Sequence, residues 1–553
     1  MPLRSHLRVN LLATAGRRPT HSHASREFTK PLIRIPQADI YRFGEARKPL
    51  LRDVDLTVRE GESWAVVGAG SSVDGKNALL DTLLGETRVV PPPPDGMYPS
   101  LDPARPVYEQ ISHVAFSHRP KAGGGAFYDY TARYGAVREE DRITLRESMF
   151  ADTSASVPND QFEDWITKLG LGGLLDLPLI ALSNGQTRRA RIVQALLHKP
   201  AILILDEPMT GLDVQMRPKL LDLLHALHAS HSPRIVMGLR AHDPVPDWVT
   251  HLALVNEGRV HAGVKEEILE EAVKSVHAVP AISNEHTELP SELEQPGEAH
   301  IELTNLNVKY YERHVLKDIN WTVRGGERWH LQGANGSGKT TLCSMLTGDH
   351  PQSYTQHGLV LFGAPRRKHA TPALRTKIGV VSPELNNAWP RARMMSVREA
   401  VGTGFDGGFV PLGERGVGIG LNGALSPEEQ AWREKRVEEM LHGLGPHRWS
   451  DDVSQSELGA WADRTFSSLG VGEQAVVLVM RALVGAPPVV LLDEVWSGMD
   501  ERMVTAVRSF LRQGGVSRQQ AVIVISHWEN EVPWGNEDGV KRFKLEDGVG
   551  REL

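Results

Sequence analysis

The chain has 553 residues, 40% of them hydrophobic and 24% charged, with a formal net charge of -7. That length exceeds one compact domain of about 100–200 residues, and the composition excludes a globally disordered chain. A lone cysteine, Cys343, excludes a disulfide framework or a cysteine-rich zinc site, and the net acidity argues against nucleic-acid binding through bulk positive charge.

The amino terminus stands apart from the rest. Arg4, Arg8, Arg17, Arg18 and Arg26 occur before any carboxylate, and Leu3, Leu7, Leu11 and Leu12 share one helical face. An Arg-rich, acid-poor amphipathic start has the composition of a mitochondrial transit peptide. Residues 1–28 are therefore expected to be a leader to the matrix, with a basic tail on a cytoplasmic protein as the alternative.

A first unit is expected over 29–262. Short apolar runs alternate with amphipathic segments, the pattern of an α/β sheet. Gly70-Ser-Ser-Val-Asp-Gly75-Lys76-Asn77 has the spacing of a phosphate loop, but Asn77 stands where a magnesium-binding hydroxyl belongs and Asp74 lies within the cradle. An amide oxygen is a weaker ligand for Mg²⁺, and a carboxylate opposes phosphate. Further on, Leu182-Ser183-Asn184-Gly185-Gln186 precedes an Arg-rich helix, and the apolar run from Ala201 ends in Asp206-Glu207. His225, His228 and His231 recur every three residues; with no acidic or thiol partner nearby they are read as a solvated helix face.

An acidic linker, 263–299, follows, expected as a helical turn or two (Glu266 to Ser275) and then a Pro/Glu-rich stretch. The second unit, 300–553, repeats the first. Leu50 to Val58 recurs as Val315 to Val323, Ala201 to Glu207 as Pro488 to Glu494, and the run ending in Ala241-His242 as that ending in Ser526-His527. Here the phosphate loop is complete: Gly333-Ala-Asn335-Gly336-Ser-Gly338-Lys339-Thr340-Thr341, after a strand and before a helix. Its backbone N–H groups would cradle phosphate oxygens, Lys339 would neutralise their charge, and the Thr340 hydroxyl would sit on Mg²⁺. Asp206 and Asp493 are the further magnesium candidates. Glu207 and Glu494, one residue on, would polarise an attacking water. A nucleotide polyphosphate and Mg²⁺ are thus the expected ligands.

Leu469-Gly470-Val471-Gly472-Glu473-Gln474 occupies the place that Leu182 to Gln186 holds in the first unit. With this landmark the whole set resembles the tandem ATP-binding cassette (ABC) ATPases, whose signature is LSGGQ, over nearly everything after residue 29. The resemblance implies an α/β fold: two P-loop NTPase (ABC-type) cassettes in tandem, each with a helical subdomain, closing head to tail as an intramolecular dimer with ATP at each interface. It also implies hydrolysis of ATP to ADP and phosphate. His242 and His527 match the family's switch histidine, and Phe43 and Tyr310 its adenine-stacking aromatic, with Tyr41 and Tyr311 as rivals.

Carried across the interface, the resemblance gives two unequal sites. One joins Lys339, Thr340, Asp493, Glu494 and His527 to Ser183, Gly185 and Gln186 and keeps every part. The other joins Lys76, Asn77, Asp206, Glu207 and His242 to Gly470 and Gly472; it lacks the hydroxyl and the signature serine, so binding without turnover is expected there. The positions of the family's glutamine loop, Ile111 to Ser117 and Ile378 to Glu384, offer no glutamine. The stretch Val397 to Phe405, then glycine-rich to Gly423, resembles that of tandem ABC proteins associated with molybdate uptake and their fungal relatives with mitochondrial-type leaders. No stretch is apolar enough to span a membrane. The expected partner is an unidentified protein, a membrane complex among the candidates; a ribosome-acting factor or a non-hydrolysing scaffold are the alternatives. The acidic linker speaks against nucleic acid.

Overall fold

The computed structural model describes residues 30–44, 47, 49–68, 73–115, 143–150, 159–177, 179, 182, 184–210, 212, 216–240, 243–256, 258–276, 297–310, 313–389, 394–407, 417–418, 424–450, 453–526, 531–535 and 538–553. The expected leader, 1–28, and linker residues 277–296 lie outside the described residues.

Each half is centred on strands that are apolar on both faces. Ile202–Asp206 (ILILD) and Ala521–Ile525 (AVIVI) are buried throughout, and Val489–Asp493 is buried up to its last residue. Such runs tolerate water on neither side, so they pair in parallel inside a sheet covered by helices. In the first half the described residues form a 9-stranded sheet. Its order is Arg88–Val90, Ile33–Tyr41, Leu51–Val58, Arg259–Val264, His251–Asn256, Trp64–Gly68, Arg234–Leu239, Ile202–Asp206 and Ile111–Ala115.

The second half repeats that order as a 6-stranded and a 4-stranded sheet. The larger runs from Ile378–Val381 through Val489–Asp493, Ala521–Ile525, Arg328–Gly333 and Lys541–Glu546 to Val549–Glu552. The smaller joins Arg313–Arg324, Ala299–Tyr310, Leu359–Leu361 and Ala364–Pro365. In the first half the opposition of Arg52 to Arg259 unites the corresponding layers.

Parallel register brings the functional ends together. Asp206 lies opposite Gly238 and Asp493 opposite Ile525, while Gly68 and Gly333 lie opposite Val255 and Leu545. The carboxyl ends of these strands therefore share one edge, where α/β sheets bind ligands. The repeat extends to backbone strain: Asp53 and Asp318, Lys199 and Ala486, and Glu207 and Glu494 all have left-handed φ.

The long apolar run near the carboxyl end splits into the helix Val471–Val484 and the strand Val489–Asp493. No helix of the described residues is long and apolar enough to cross a membrane. The helix packs with Val397–Gly402, Pro427–Leu444 and Leu458–Ala462 around Trp389, Trp449, Trp461 and Phe466. Leu145–Phe150 and Asn159–Lys168 pack on Asn184–Leu197 in the same manner in the first half. Val397–Gly402 starts from a Ser396/Glu399 capping box and ends where the glycines begin. Residues 408–416 and 419–423 of that glycine-rich stretch are outside the described residues.

The linker's helix, Lys265–Val276, takes in the expected Glu266 to Ser275 with one more residue at each end. One expectation needs correction. Of the three histidines only His228 departs from a solvated face; His225 and His231 are exposed. His225 and His228 lie against Trp248, the buried His228 accepts the Ile235 N–H through Nδ1 at 3.0 Å, and His231 Nδ1 stands 2.9 Å from Glu60. Their partners come from distant chain segments, which a helical spacing cannot reveal. No cluster of three or more His, Cys, Asp or Glu placed to hold a metal occurs among the described residues. Cys343 packs partly buried on an apolar core.

His350 supplies a pH-dependent element of stability. It is fully buried and its Nδ1 accepts the Gln352 N–H at 3.1 Å; burial lowers its pKa to about 4. A histidine that is neutral when folded and easily protonated when unfolded contributes fully above the ordinary pKa of 6.5 and loses that contribution as pH falls toward 4. Denaturant titrations should find His350→Asn, which keeps an acceptor, less acid-sensitive than the parent by up to roughly 3 kcal/mol across that window.

Candidate active site

In the second half the strand Arg328–Gly333 delivers the loop into the helix Lys339–Thr347. Gly338 caps this helix at φ 106, and a Cβ there would stand 2.7 Å from Leu316 Cδ2; at Gly333 one would meet the Leu545 carbonyl oxygen at 2.5 Å. Only glycine permits so tight a loop. Ser337 Oγ is buried without a hydrogen-bond partner among the described residues. Lys339 Nζ folds back to donate to the carbonyls of Gly333 at 2.7 Å and Ala334 at 3.1 Å. Asn335 and Thr341 are partly buried and Thr340 is exposed on the first helical turn. A curled loop at a helix N-terminus with its lysine over it fits a polyphosphate. The Thr340 hydroxyl and the Asp493 carboxylate are oxygen donors of the kind Mg²⁺ takes, and they are the residues that would hold it.

Asp493 ends its strand and Glu494 leaves it with a left-handed φ of 45°, its N–H held by the Ile525 carbonyl at 3.2 Å. The kink turns the carboxylate out of the sheet at a cost of about 1–2 kcal/mol. Glu494 Oε2 is buried without a hydrogen-bond partner among the described residues. The first half reaches this place. Arg188 Nη2 lies 3.8 Å from that oxygen, and a Cβ on Gly336 would be 3.7 Å from Gln186 Nε2. Gly185 is buried one residue before Gln186. The structure thus brings Gln186 beside Gly336 and Arg188 beside Glu494; Ser183 and His527 lie outside the described residues.

The first half's loop differs. Gly75 and Lys76 are already inside the helix Val73–Leu83, and Asn77, partly buried, follows. Lys76 is buried and forms ion pairs with Asp206 at 2.8 Å and Glu207 at 2.7 Å. Burial opposes charge on Lys76, yet the two carboxylates outweigh it and push its pKa up. Burial likewise pushes Glu207 up, but Lys76 and Arg240 overcome it and bring the carboxyl to about 2. Asp206 goes the other way: burial and the neighbouring Glu207 raise it despite Lys76. It sits so close to Gly238 that a Cβ there would meet its Oδ1 at 2.8 Å.

Lys76 is therefore engaged with carboxylates, and this arrangement does not fit a nucleotide as the other does. Gln186's counterpart, Glu473, turns toward its own half, accepting the Gly470 N–H and the Trp461 indole N–H, each at 2.9 Å. A Cβ on Gly472 would meet the Gly498 carbonyl oxygen of the same half at 2.6 Å. Gly70 and His242 lie outside the described residues. Phe43 is exposed after the strand Ile33–Tyr41, while Arg88 covers the ring of its rival Tyr41 at 5.3 Å. Tyr310 ends the strand Ala299–Tyr310, and Tyr311 lies outside the described residues.

Residues missed in the sequence surround Glu494. Besides Arg188, Arg240 pairs with Asp243 at 3.0 Å and feels Glu531 of the second half. Burial raises the pKa of Glu531, while Arg240 and Arg217 act against it from the first half. The Arg-rich helix after Gln186 was the available signal for Arg188; nothing local marked Arg240 or Glu531.

The ABC transporter family model matches residues 51–210 and 316–497, more than half of the chain. The chain belongs to the ABC ATPase family. An ABC transporter ATP-binding protein of Schizosaccharomyces pombe is 31% identical over 503 residues, covering 89% of this chain and 94% of its own. ModF, an ABC transporter ATP-binding protein of Escherichia coli, is 30% identical over 495 residues, covering 86% and 90%. Among solved structures, the model of ribosome-bound archaeal Pelota and ABCE1 aligns with TM-score 0.57 at 19% identity, covering 94% of this chain and 78% of that one. At that identity the likeness is one of fold: two tandem ABC cassettes of mixed α/β sheets.

The two lysines of these cassettes should separate in stability. Lys76→Met strands two buried carboxylates and should cost about 3–5 kcal/mol in denaturant unfolding. Lys339→Met, which gives up the loop carbonyls of Gly333 and Ala334, should change unfolding by less than about 0.5 kcal/mol.

Proposed function

We propose that the protein hydrolyses ATP at one composite site and binds it without turnover at the other, the cassettes being taken as 29–262 and 300–553. One juxtaposition carries the reading: Gln186 beside Gly336, with Arg188 beside Glu494, walls the second cassette's loop with the first cassette's signature helix. Lys339 and the loop amides hold the phosphates; Ser183, Gly185 and Gln186 close the pocket from the far side, and His527 reaches the γ-phosphate. Magnesium, when bound by Thr340 and Asp493, neutralises charge on the phosphoryl group under attack. Glu494 orients the attacking water and takes its proton, a task suited to a buried carboxylate oxygen with no hydrogen-bond donor among the described residues.

The first cassette's pocket has Lys76, Asn77, Asp206, Glu207 and His242 with Gly470 and Gly472 opposite. A phosphate must draw Lys76 from two short ion pairs, and neither the magnesium hydroxyl nor the signature serine is there to compensate. Closure over ATP is passed to a protein partner, in keeping with the transporter ATP-binding names of the relatives. The ribosomal neighbour's support for the competing reading is the shared fold alone.

Steady-state assays test the asymmetry: Glu494→Gln should lower turnover by about 10²-fold or more, whereas Glu207→Gln should keep roughly half. Equal losses would remove the asymmetry. Capture of ribosomal proteins rather than a membrane complex by the Glu494→Gln protein would replace the partner assigned here.

A further inference from the structure

We infer that Arg188 is a positioning residue that reaches across the cassette boundary to set Glu494, and that it ties Glu494 to the state of the other pocket. The inference rests on the ATPase reading above. Arg188 is buried, so its guanidinium needs fixed partners, and they come from both cassettes. Nη1 donates to the Thr210 carbonyl of its own cassette, and Nη2 lies 3.8 Å from Glu494 Oε2 of the other. At that separation the positive charge steers the carboxylate without occupying its lone pairs, leaving that oxygen to a water.

The Thr210 end leads into the first pocket. Thr210 donates its N–H to the Glu207 carbonyl at 3.1 Å and its hydroxyl to Glu207 Oε2 at 3.4 Å, and Glu207 Oε1 holds Lys76 at 2.7 Å. Lys76, Glu207, Thr210, Arg188 and Glu494 thus form one contiguous run of contacts from the degenerate loop to the water-activating carboxylate. A phosphate that takes Lys76 releases Glu207, and Glu207's turn carries the carbonyl that anchors Arg188. Both ends therefore bias the same guanidinium.

The device is one-way. In the repeat, the position of Arg188 is held by Ala475, which has no charge to offer Glu207. Arg217 and Arg240 add to the one-sidedness, since both act on Glu531 from the first cassette.

The test is Mg-ATP turnover by the full chain. Arg188→Gln keeps a donor for Thr210 but loses the charge, and Arg188→Lys keeps the charge. The glutamine variant should lower kcat about tenfold with KM for ATP within about twofold, and lysine should restore most of kcat. The modest loss from Glu207→Gln should disappear when Arg188 is already glutamine, because the two act through one run of contacts. An unchanged kcat, a loss that lysine does not restore, or additive losses would overturn the inference. If Arg188→Gln does not fold, Arg188→Lys carries the test: combined with Glu207→Gln it should hold kcat near that of Arg188→Lys alone, and a full additive loss overturns the coupling. A parent without turnover overturns the ATPase reading as well; a parent that turns over while Arg188→Gln is silent overturns this inference alone.

Discussion

Everything at this sheet edge follows from one constraint: two adjacent carboxylates stand at the end of a strand buried on both faces. Ile202–Asp206 and Val489–Asp493 each deliver an Asp-Glu pair into a region of low dielectric, where unpaired negative charge is costly. The chain resolves it in two ways. In the first cassette Lys76 enters the same buried space and binds both groups. In the second, Lys339 turns to its own loop, and the positive charge beside Glu494 comes from Arg188 in the other cassette. The asymmetry between pockets is thus a difference in where the compensating cation comes from.

That difference has a functional reading because catalysis requires an incompletely satisfied carboxylate. Glu207, held by a short ion pair to Lys76 and brought to about 2, is a weak proton acceptor. Glu494 Oε2 has no hydrogen-bond donor among the described residues, while a guanidinium stands nearby. Under the proposed function, the first cassette is a structural ion-pair centre and the second keeps the carboxylate that hydrolysis would use.

Much of this was legible in the sequence because its signals are local. Gly333 to Thr341, the apolar runs ending in Asp206-Glu207 and Asp493-Glu494, and their repetition fixed the fold family and the loop's position before any geometry. The worn loop of the first cassette was visible at Asn77. Its consequence for Lys76 was not, since the partners lie far along the chain and meet only through parallel pairing. The same holds for Trp248 against His225 and His228, where a helical repeat suggested solvent and a distant loop supplied a ring. Arg188 sat in plain view within a run of arginines, but only the apposition of the two cassettes distinguishes it from its neighbours.

The left-handed turn at Glu207 and Glu494 carries a wider meaning. The same strained backbone persists in a cassette whose loop has lost its hydroxyl and whose lysine has been diverted. After an internal duplication, then, side-chain chemistry can drift while the main chain stays put, because the kink is locked by pairing with the neighbouring strand at Gly238 or Ile525. Under the proposed function, two copies of one main-chain frame thus carry different chemistry, and the frame alone does not tell which of them turns ATP over.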